Sequence, residues 1–304
     1  MQIFTDKNVD ITAATAVSIG KFDGVHRGHI ALLDELKHVA SKKGLKTLVL
    51  TFSPHPMAFF TGKHFPTILE PAEKLEIIRN LGIDYYVEYT FDAKFAQTEP
   101  EAFLRNILHD KLKGQAMVIA QDYRFGKMGK GNADLARKVG DELGIAVSAI
   151  PHILHDGHKI GSEYLRKLIT EKNFTLISEL CGRDFCVSGI VGSGAQNGRK
   201  MGFPTANIKP HPDKILPPNS VYATTTIIDK IAYKSITNIG FRPTVDLTND
   251  VATLETHILG LDDNLYGKKI SVIFDKWMRD ERKFASFDEL SAELARNCTQ
   301  REIM

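Results

Sequence analysis

The stretch from residue 16 to residue 40 leaves few choices of fold. An apolar run, Ala16 to Ile19, stops at Gly20-Lys21-Phe22-Asp23-Gly24-Val25-His26-Arg27-Gly28-His29. A helical pattern follows at once, with Ile30, Leu33, Leu36 and Val39 three residues apart and Leu32 and Ala40 on the flanks. Strand, tight turn, helix is the layout of a phosphate site in an open α/β sheet, where ligands sit beyond the carboxyl ends of the strands. The turn has neither a dinucleotide-binding nor a Walker A glycine pattern. Two histidines three apart at a helix start share a face, and the free N–H groups and the positive end of the helix dipole point the same way. Gly28 is expected to keep the wall low so that a phosphate can approach the backbone. Such a turn can hold an α-phosphate and stabilise charge growing on it. A bare His-x-Gly-His could equally be two surface histidines; its place directly after a strand favours the phosphate site.

The pattern repeats down the first 150 residues. Thr47–Phe52 is a buried strand by length and branching, broken by Ser53-Pro54-His55-Pro56. Residues 72–81 form a helix that stops at Gly82, and Ile83 to Tyr89 a third strand. Thr98-Glu99-Pro100-Glu101 reads as a capping box with proline in the first turn. Ala116 to Ala120 is a fourth strand, followed by a loop rich in glycine and positive charge, residues 121–131. Asn132 caps the next helix, and Ile145 to Ile150 is a fifth strand. Strand and helix alternating five times predict a doubly wound parallel sheet. One helical stretch, Glu163 to Leu180, then leads to a change of period near residue 184. From there short strands follow one another without long helices, which predicts a small antiparallel β-barrel. A closing helix, Ser286 to Asn297, carries Phe287, Leu290 and Leu294 on one face. The expected domains are 1–180 and 181–304.

A second dense stretch, residues 189–207, holds five glycines around Arg199-Lys200. It reads either as a flexible surface loop or as a phosphate cradle of backbone N–H groups. Thr205 and Asn207, two apart in an extended segment, point to the same side, and their oxygens suit Mg²⁺. Glu255, inside an apolar strand, is either a paired structural acid or a general base for a hydroxyl. His152, His155 and His158 flank Pro151 and Gly157, which argues for a surface loop rather than a helical metal face. With 39 basic and 37 acidic residues the net charge is +2, so a nucleic-acid surface is not expected. No apolar run approaches a membrane span, and no basic-then-apolar leader opens the chain. Cys181, Cys186 and Cys298 lack metal spacing and read as reduced thiols of a cytoplasmic protein.

The chain resembles the bacterial bifunctional riboflavin kinase/FMN adenylyltransferase (FAD synthetase) family. The resemblance rests on Gly-Lys-Phe-Asp-Gly-Val-His-Arg-Gly-His at 20–29, Thr-Phe-Ser-Pro-His-Pro at 51–56 and Asp-Tyr-Arg-Phe-Gly at 122–126. It continues with Gly-Phe-Pro-Thr-Ala-Asn at 202–207, Asn-Ile-Gly-Phe-Arg-Pro-Thr at 238–244, Glu-Thr-His-Ile-Leu at 255–259 and Leu-Tyr-Gly-Lys at 265–268. It implies that the first domain transfers AMP from ATP to FMN, with catalytic His26 and His29 on the ATP phosphates. Gly20, Phe22, Asp23, Gly28, Ser162 and Arg166 would bind that ATP; Phe52, Pro54, His55, Pro56, Asp122 and Phe125 would bind FMN. It implies that the barrel phosphorylates riboflavin, with Glu255 taking the hydroxyl proton. Gly189, Gly194, Arg199, Gly202, Pro204, Thr205 and Asn207 would bind Mg·ATP, Thr205 and Asn207 as the metal ligands. Arg279 and Phe284 would border the flavin. Expected partners are flavins and ATP, with no nucleic acid or membrane, in a monomer or weak homo-oligomer.

The chain departs from the family pattern chiefly at Gly161, Glu163, Ala120 and Ser220. Where the family has Ile-Ser-Ser-Thr-x-Ile-Arg, this chain reads Ile160-Gly161-Ser162-Glu163-Tyr164-Leu165-Arg166. The glycine that opens the fourth-strand loop is Ala120, and Ser220 replaces a glycine before Val221-Tyr222. The alternatives are therefore a riboflavin kinase with a weakened or inactive adenylyltransferase, and a non-catalytic flavin-binding regulatory protein.

Overall fold

The structure is a computed structural model that describes residues 1–193, 202–242 and 251–304. Its contacts divide the chain into two units, Met1–Ser162 and Glu163–Met304.

The first unit is a six-stranded parallel sheet in the order β1-β4-β3-β2-β5-β6. Its strands are β1 (Gln2–Thr5), β2 (Thr15–Ile19), β3 (Lys46–Ser53), β4 (Tyr85–Thr90), β5 (Gly114–Ala120) and β6 (Ala146–Ile150). The helices are α1 (Arg27–Lys43), α2 (Pro56–Thr61), α3 (Pro71–Asn80), α4 (Ala93–Ala96), α5 (Pro100–Ala102) and α6 (Ala133–Leu143). α5 runs on into a π-helical stretch, Phe103–Lys111. The central strands read as apolar runs because both faces are covered. Successive residues go to opposite faces. Val17, Ile19, Leu48 and Leu50 pack with Leu104, Leu108 and Val139. Ala16 and Val49 pack with Leu33, Leu36 and Ile78.

Three readings are corrected. β1 was not expected; it adds to β4 at the sheet edge. The capping box at Thr98 does not form: Glu99 is the N-cap, no side chain caps it, and Pro100 at the first position needs no N–H partner. Where a surface loop was expected, His155 and His158 pair across a two-stranded hairpin, β7 (Leu154–His155) with β8 (His158–Lys159). Asp156 and Gly157 both take positive φ in its turn.

Asp84 ties β4 to β3. Its carboxylate accepts from the Thr47 N–H at 2.9 Å and the Thr47 hydroxyl at 2.8 Å, and Lys46 approaches it at 3.2 Å. Burial raises its pKa, but those donors outweigh burial and hold it below the usual carboxylate range. A depressed folded pKa contributes stability above the unfolded pKa, lost as pH falls through the folded value. Asp84→Ala should cost about 1 kcal/mol at pH 7, the low end because the carboxylate is partly exposed. Denaturant melts at pH 7 and pH 3 should show that difference shrinking below about pH 4.

The second unit begins with α7 (Glu163 onward of Ser162–Thr170) and α8 (Phe174–Cys181), two helices where one was expected. Lys172 in the break has positive φ, and Asn173 caps the second helix. Six antiparallel strands close into a barrel: β9 (Cys186–Gly192), β10 (Thr205–Pro210), β11 (Ser220–Ile228), β12 (Ile231–Arg242), β13 (Val251–Ile258) and β14 (Lys269–Arg279). Closure removes the sheet edges. A buried hydroxyl ladder joins the strands: Thr224 to Ser235 (2.8 Å) and Thr237 (2.9 Å), and Thr237 to Thr256 (2.9 Å). Buried hydroxyls are tolerated because each partners another.

The closing helix α9 (Phe287–Ile303) runs a turn and a half past its expected end. Arg301 fixes it, donating to the Thr224 carbonyl (2.8 Å) and to Asp275 (2.6 Å). Phe287 was expected on the apolar face; it is 68% exposed, while Leu290 and Leu294 of that face are half-buried. No helix among the described residues is long and apolar enough to cross a membrane.

Candidate active sites

β3, β2 and β5 are neighbours at the centre of the first sheet. Because they run parallel, the loops that follow them emerge at one edge, and these are the three loops singled out in the sequence: 53–56, 20–29 and 121–131. The gap between β2 and β5 is where the chain reverses its direction of winding, the usual ligand crevice of such sheets.

The turn after β2 takes positive φ at Phe22, Gly24 and Val25, strain of the kind that collects at functional turns. His26 is the N-cap of α1, and its Nδ1 accepts from the His29 N–H at 3.3 Å. The two imidazoles stack, centroids 3.9 Å apart, and His29 also lies 5.2 Å from the Phe22 ring. Gly28 answers to a tighter constraint than ligand approach. A Cβ there would meet His26 Nδ1 at 3.1 Å and the Ile160 carbonyl at 3.2 Å, so the glycine leaves room for the cap itself. A Cβ at Gly20 would come within 3.1 Å of the Phe22 ring.

Asp23 is buried, and its carboxylate accepts the Ile68 N–H at 2.7 Å. Its carbonyl accepts the Ser162 hydroxyl at 2.7 Å. Both residues brace the turn from outside its sequence. Arg166 lies on α7, in the second unit.

Around the flanking loops, His55 caps α2 and stacks on Phe65 at 4.3 Å. Pro54 follows a cis bond, and Pro56 opens α2. Phe52 packs on Phe91 and Phe95. Asp122 is gripped by Lys159 at 2.5 Å and His152 at 3.1 Å. Burial raises the Asp122 pKa, but the hydrogen bond and charge of Lys159 lead the contacts that more than offset it and hold it below its ordinary value. Phe125 is buried against Phe103. Two features escaped the sequence. Phe59 and Phe60 on α2 form an exposed aromatic cluster with Phe91. Lys74 on α3 reaches Thr51 beneath the His turn at 3.4 Å; burial lowers its pKa, opposed by Glu88 and Asp23.

The barrel arranges its candidates in one transverse row. Asn207 pairs with Glu255, Glu255 with Asn238, Asn238 with Val221, and Val221 with Arg279. Two cavities flank that row. One, about 300 Å³, is lined by Pro204, Thr205, Asn207, Asp262, Asp263 and Tyr266 among others. The other, about 310 Å³, is lined by Thr205, Glu255, Asn238, His257, Arg279 and Phe284, with Leu290, Leu294 and Cys298 of α9. Thr205 borders both, so the two cavities adjoin. Arg279 lies over the Phe284 ring at 5.7 Å and is held by Asn297 and Glu293. Gly202 has a φ of +80°, which suits glycine. Gly189 is fixed by strand packing: a Cβ would sit 2.4 Å from the Lys209 carbonyl. Gly194 and Arg199 lie outside the described residues. Ser220 accepts from Lys172 at 2.9 Å and donates to Asp280 at 3.1 Å, so the hydroxyl that replaces glycine there is used.

Residues 9–164 match the FAD synthetase family and residues 181–304 the riboflavin kinase family. The bifunctional riboflavin kinase/FMN adenylyltransferase of Escherichia coli K12 is 36% identical over 283 residues, covering 92% of this chain and 90% of that one. The chain belongs to the bifunctional riboflavin kinase/FMN adenylyltransferase family. The family member from Pseudomonas fluorescens is 32% identical over 277 residues, 91% of this chain and 88% of its own. A solved structure described as a macrolide-efflux protein from Streptococcus pneumoniae matches with a TM-score of 0.88 at 27% identity, over 97% of this chain and 96% of that one. The two family matches fall one on each unit, apart from the first match's last two residues. His257 was missed, although it stands two residues after Glu255 and so shares its face. Its Nδ1 donates to the Pro204 carbonyl at 2.8 Å, which ties the residue before β10 to β13.

Proposed function

We propose that the chain makes FMN from riboflavin in its barrel and FAD from FMN on its parallel sheet, using ATP for both. The observation that carries the kinase half is the pair of adjoining cavities with Asn207 in one, Glu255 in the other and Thr205 between them. ATP in the first presents its γ-phosphate toward the second, where the ribityl end of riboflavin lies. Glu255 removes the proton from the terminal hydroxyl, the oxygen attacks the γ-phosphorus, and ADP leaves. Thr205 and Asn207 offer two hard oxygens beside the nucleotide cavity, a donor set that fits Mg²⁺. Bound there, Mg²⁺ would neutralise phosphate charge.

In the other half, an FMN phosphate oxygen attacks the α-phosphorus of ATP and pyrophosphate leaves. His26, His29 and the N–H groups opening α1 stabilise the charge that grows on the α-phosphate. The loops at 52–56 and 122–126 flank the same edge and hold FMN. The efflux description of the pneumococcal structure has no counterpart in a chain whose described helices include no membrane span.

Incubation with riboflavin, ATP and Mg²⁺, resolving FMN from FAD, tests the reading. Both products support it, FMN alone points to a kinase with a silent first half, and neither leaves a flavin-binding protein. Gly161 favours a weakened first half. It sits between Ile160, whose carbonyl leaves little room for a Cβ on Gly28, and Ser162, which donates to the Asp23 carbonyl, and a Cβ on Gly161 meets nothing within 4 Å. Gly161→Ser should therefore leave the melting temperature unchanged and lower the apparent KM for ATP in FAD formation a few-fold. An unchanged or higher KM would detach Gly161 from the nucleotide site.

A further inference from the structure

Asn238 is a polar member of the transverse row to which the proposed reaction gives no task. Its Nδ2 donates to Glu281 Oε1 at 3.3 Å, which orients the carboxamide. Its Oδ1 is buried and has no hydrogen-bond partner. A buried unpaired acceptor costs about 1–3 kcal/mol, so it needs a compensating role. Its position suggests one. Asn238 lies in the flavin cavity one strand from Glu255 and, through Val221, two strands from Arg279. Strands are spaced about 4.8 Å apart. A polyol whose terminal hydroxyl reaches Glu255, and whose ring system lies by Arg279 and Phe284, passes over Asn238 with its secondary hydroxyls. The carboxylates of Glu255 and Glu281 can also accept from hydroxyls. Asn238 adds an acceptor without adding charge, so it does not raise the proton affinity of the neighbouring base as a third carboxylate would.

We infer that Asn238 Oδ1 accepts a hydrogen bond from a secondary hydroxyl of the ribityl chain, making it the residue that selects a polyhydroxylated side chain over an aliphatic one. The inference rests on the proposed riboflavin kinase reading. Sites built to bond a hydroxyl reject analogues lacking it far better than apolar pockets reject an added one. Selection should therefore appear as a preference for riboflavin over a flavin carrying a 5-hydroxypentyl chain, which keeps the terminal hydroxyl and lacks the others.

The test compares kcat/KM for riboflavin and for the hydroxypentyl flavin in wild type, Asn238→Leu and Asn238→Ser. Leucine matches the shape without polar atoms; serine is small, polar and too short to replace the carboxamide, and serves if leucine impairs folding. Flavin fluorescence quenching without ATP gives binding separately from turnover, and thermal melting checks the fold. The expected result is a wild-type preference that falls about ten- to a hundredfold in the variants, with the loss carried mainly by KM for riboflavin. Equal losses on both flavins, or an undiminished preference, would assign Asn238 to packing alone and leave the kinase reading standing. A wild-type protein that neither binds nor phosphorylates riboflavin would overturn both.

Discussion

Glu255→Gln is expected to lower FMN formation from riboflavin by about two to four orders of magnitude while leaving nucleotide affinity within a few-fold of wild type. The amide keeps the shape of the side chain and its place in the row between Asn207 and Asn238. It loses the ability to take a proton at neutral pH. Glu255 lines the cavity proposed for the flavin and is absent from the lining of the one proposed for the nucleotide, so the two readouts separate. Single-turnover FMN formation with ATP saturating measures the chemistry, and ATP titration by calorimetry measures binding. A variant with near-normal turnover would remove Glu255 from the mechanism. A variant that lost ATP affinity and turnover together would make it part of the nucleotide site instead.

The sequence singled out only some of the residues that line the two barrel cavities. Thr205, Asn207 and Glu255 were legible because each is a polar residue out of place in an extended, largely apolar context. Their grouping was not, because register between strands far apart in sequence is set by barrel closure. Asn238 stayed hidden for that reason, and so did the way Leu290, Leu294 and Cys298 of α9 close the second cavity; His257, two residues past Glu255 on the same strand, was within reach of strand alternation. In the first unit the reverse held. Parallel strands must deliver their following loops to one edge, so reading strand–loop order was enough to gather residues 20–29, 53–56 and 121–131. What escaped there was support from a distance: Asp23 on the Ile68 and Leu69 amides, and Lys74 rising from α3 to Thr51. Gly28 shows the difference between pattern and cause. Its presence in the turn pointed to a phosphate site, yet what it makes room for is the His26 cap.

His29→Ala is expected to cut FAD formation from added FMN by at least about a hundredfold, the scale of losing one donor to developing transition-state charge. Riboflavin phosphorylation should stay unchanged. The substitution is clean because the cap survives it: His26 Nδ1 accepts from the main-chain N–H of residue 29, which alanine retains. What disappears is the imidazole stacked on His26 and tilted against Phe22. That contact is worth about 0.5–1.5 kcal/mol, too little to unfold a sheet with a core on both faces. The barrel has its own closed hydrogen-bond network and its own cavities, so its activity reports independently on the integrity of the chain. Two assays on one preparation decide the matter, FAD from FMN and FMN from riboflavin, with thermal melting as the control. Loss of the first alone places adenylyl transfer at the His26/His29 turn. Loss of both at an unchanged melting temperature would mean that the two chemistries are not divided between the two units.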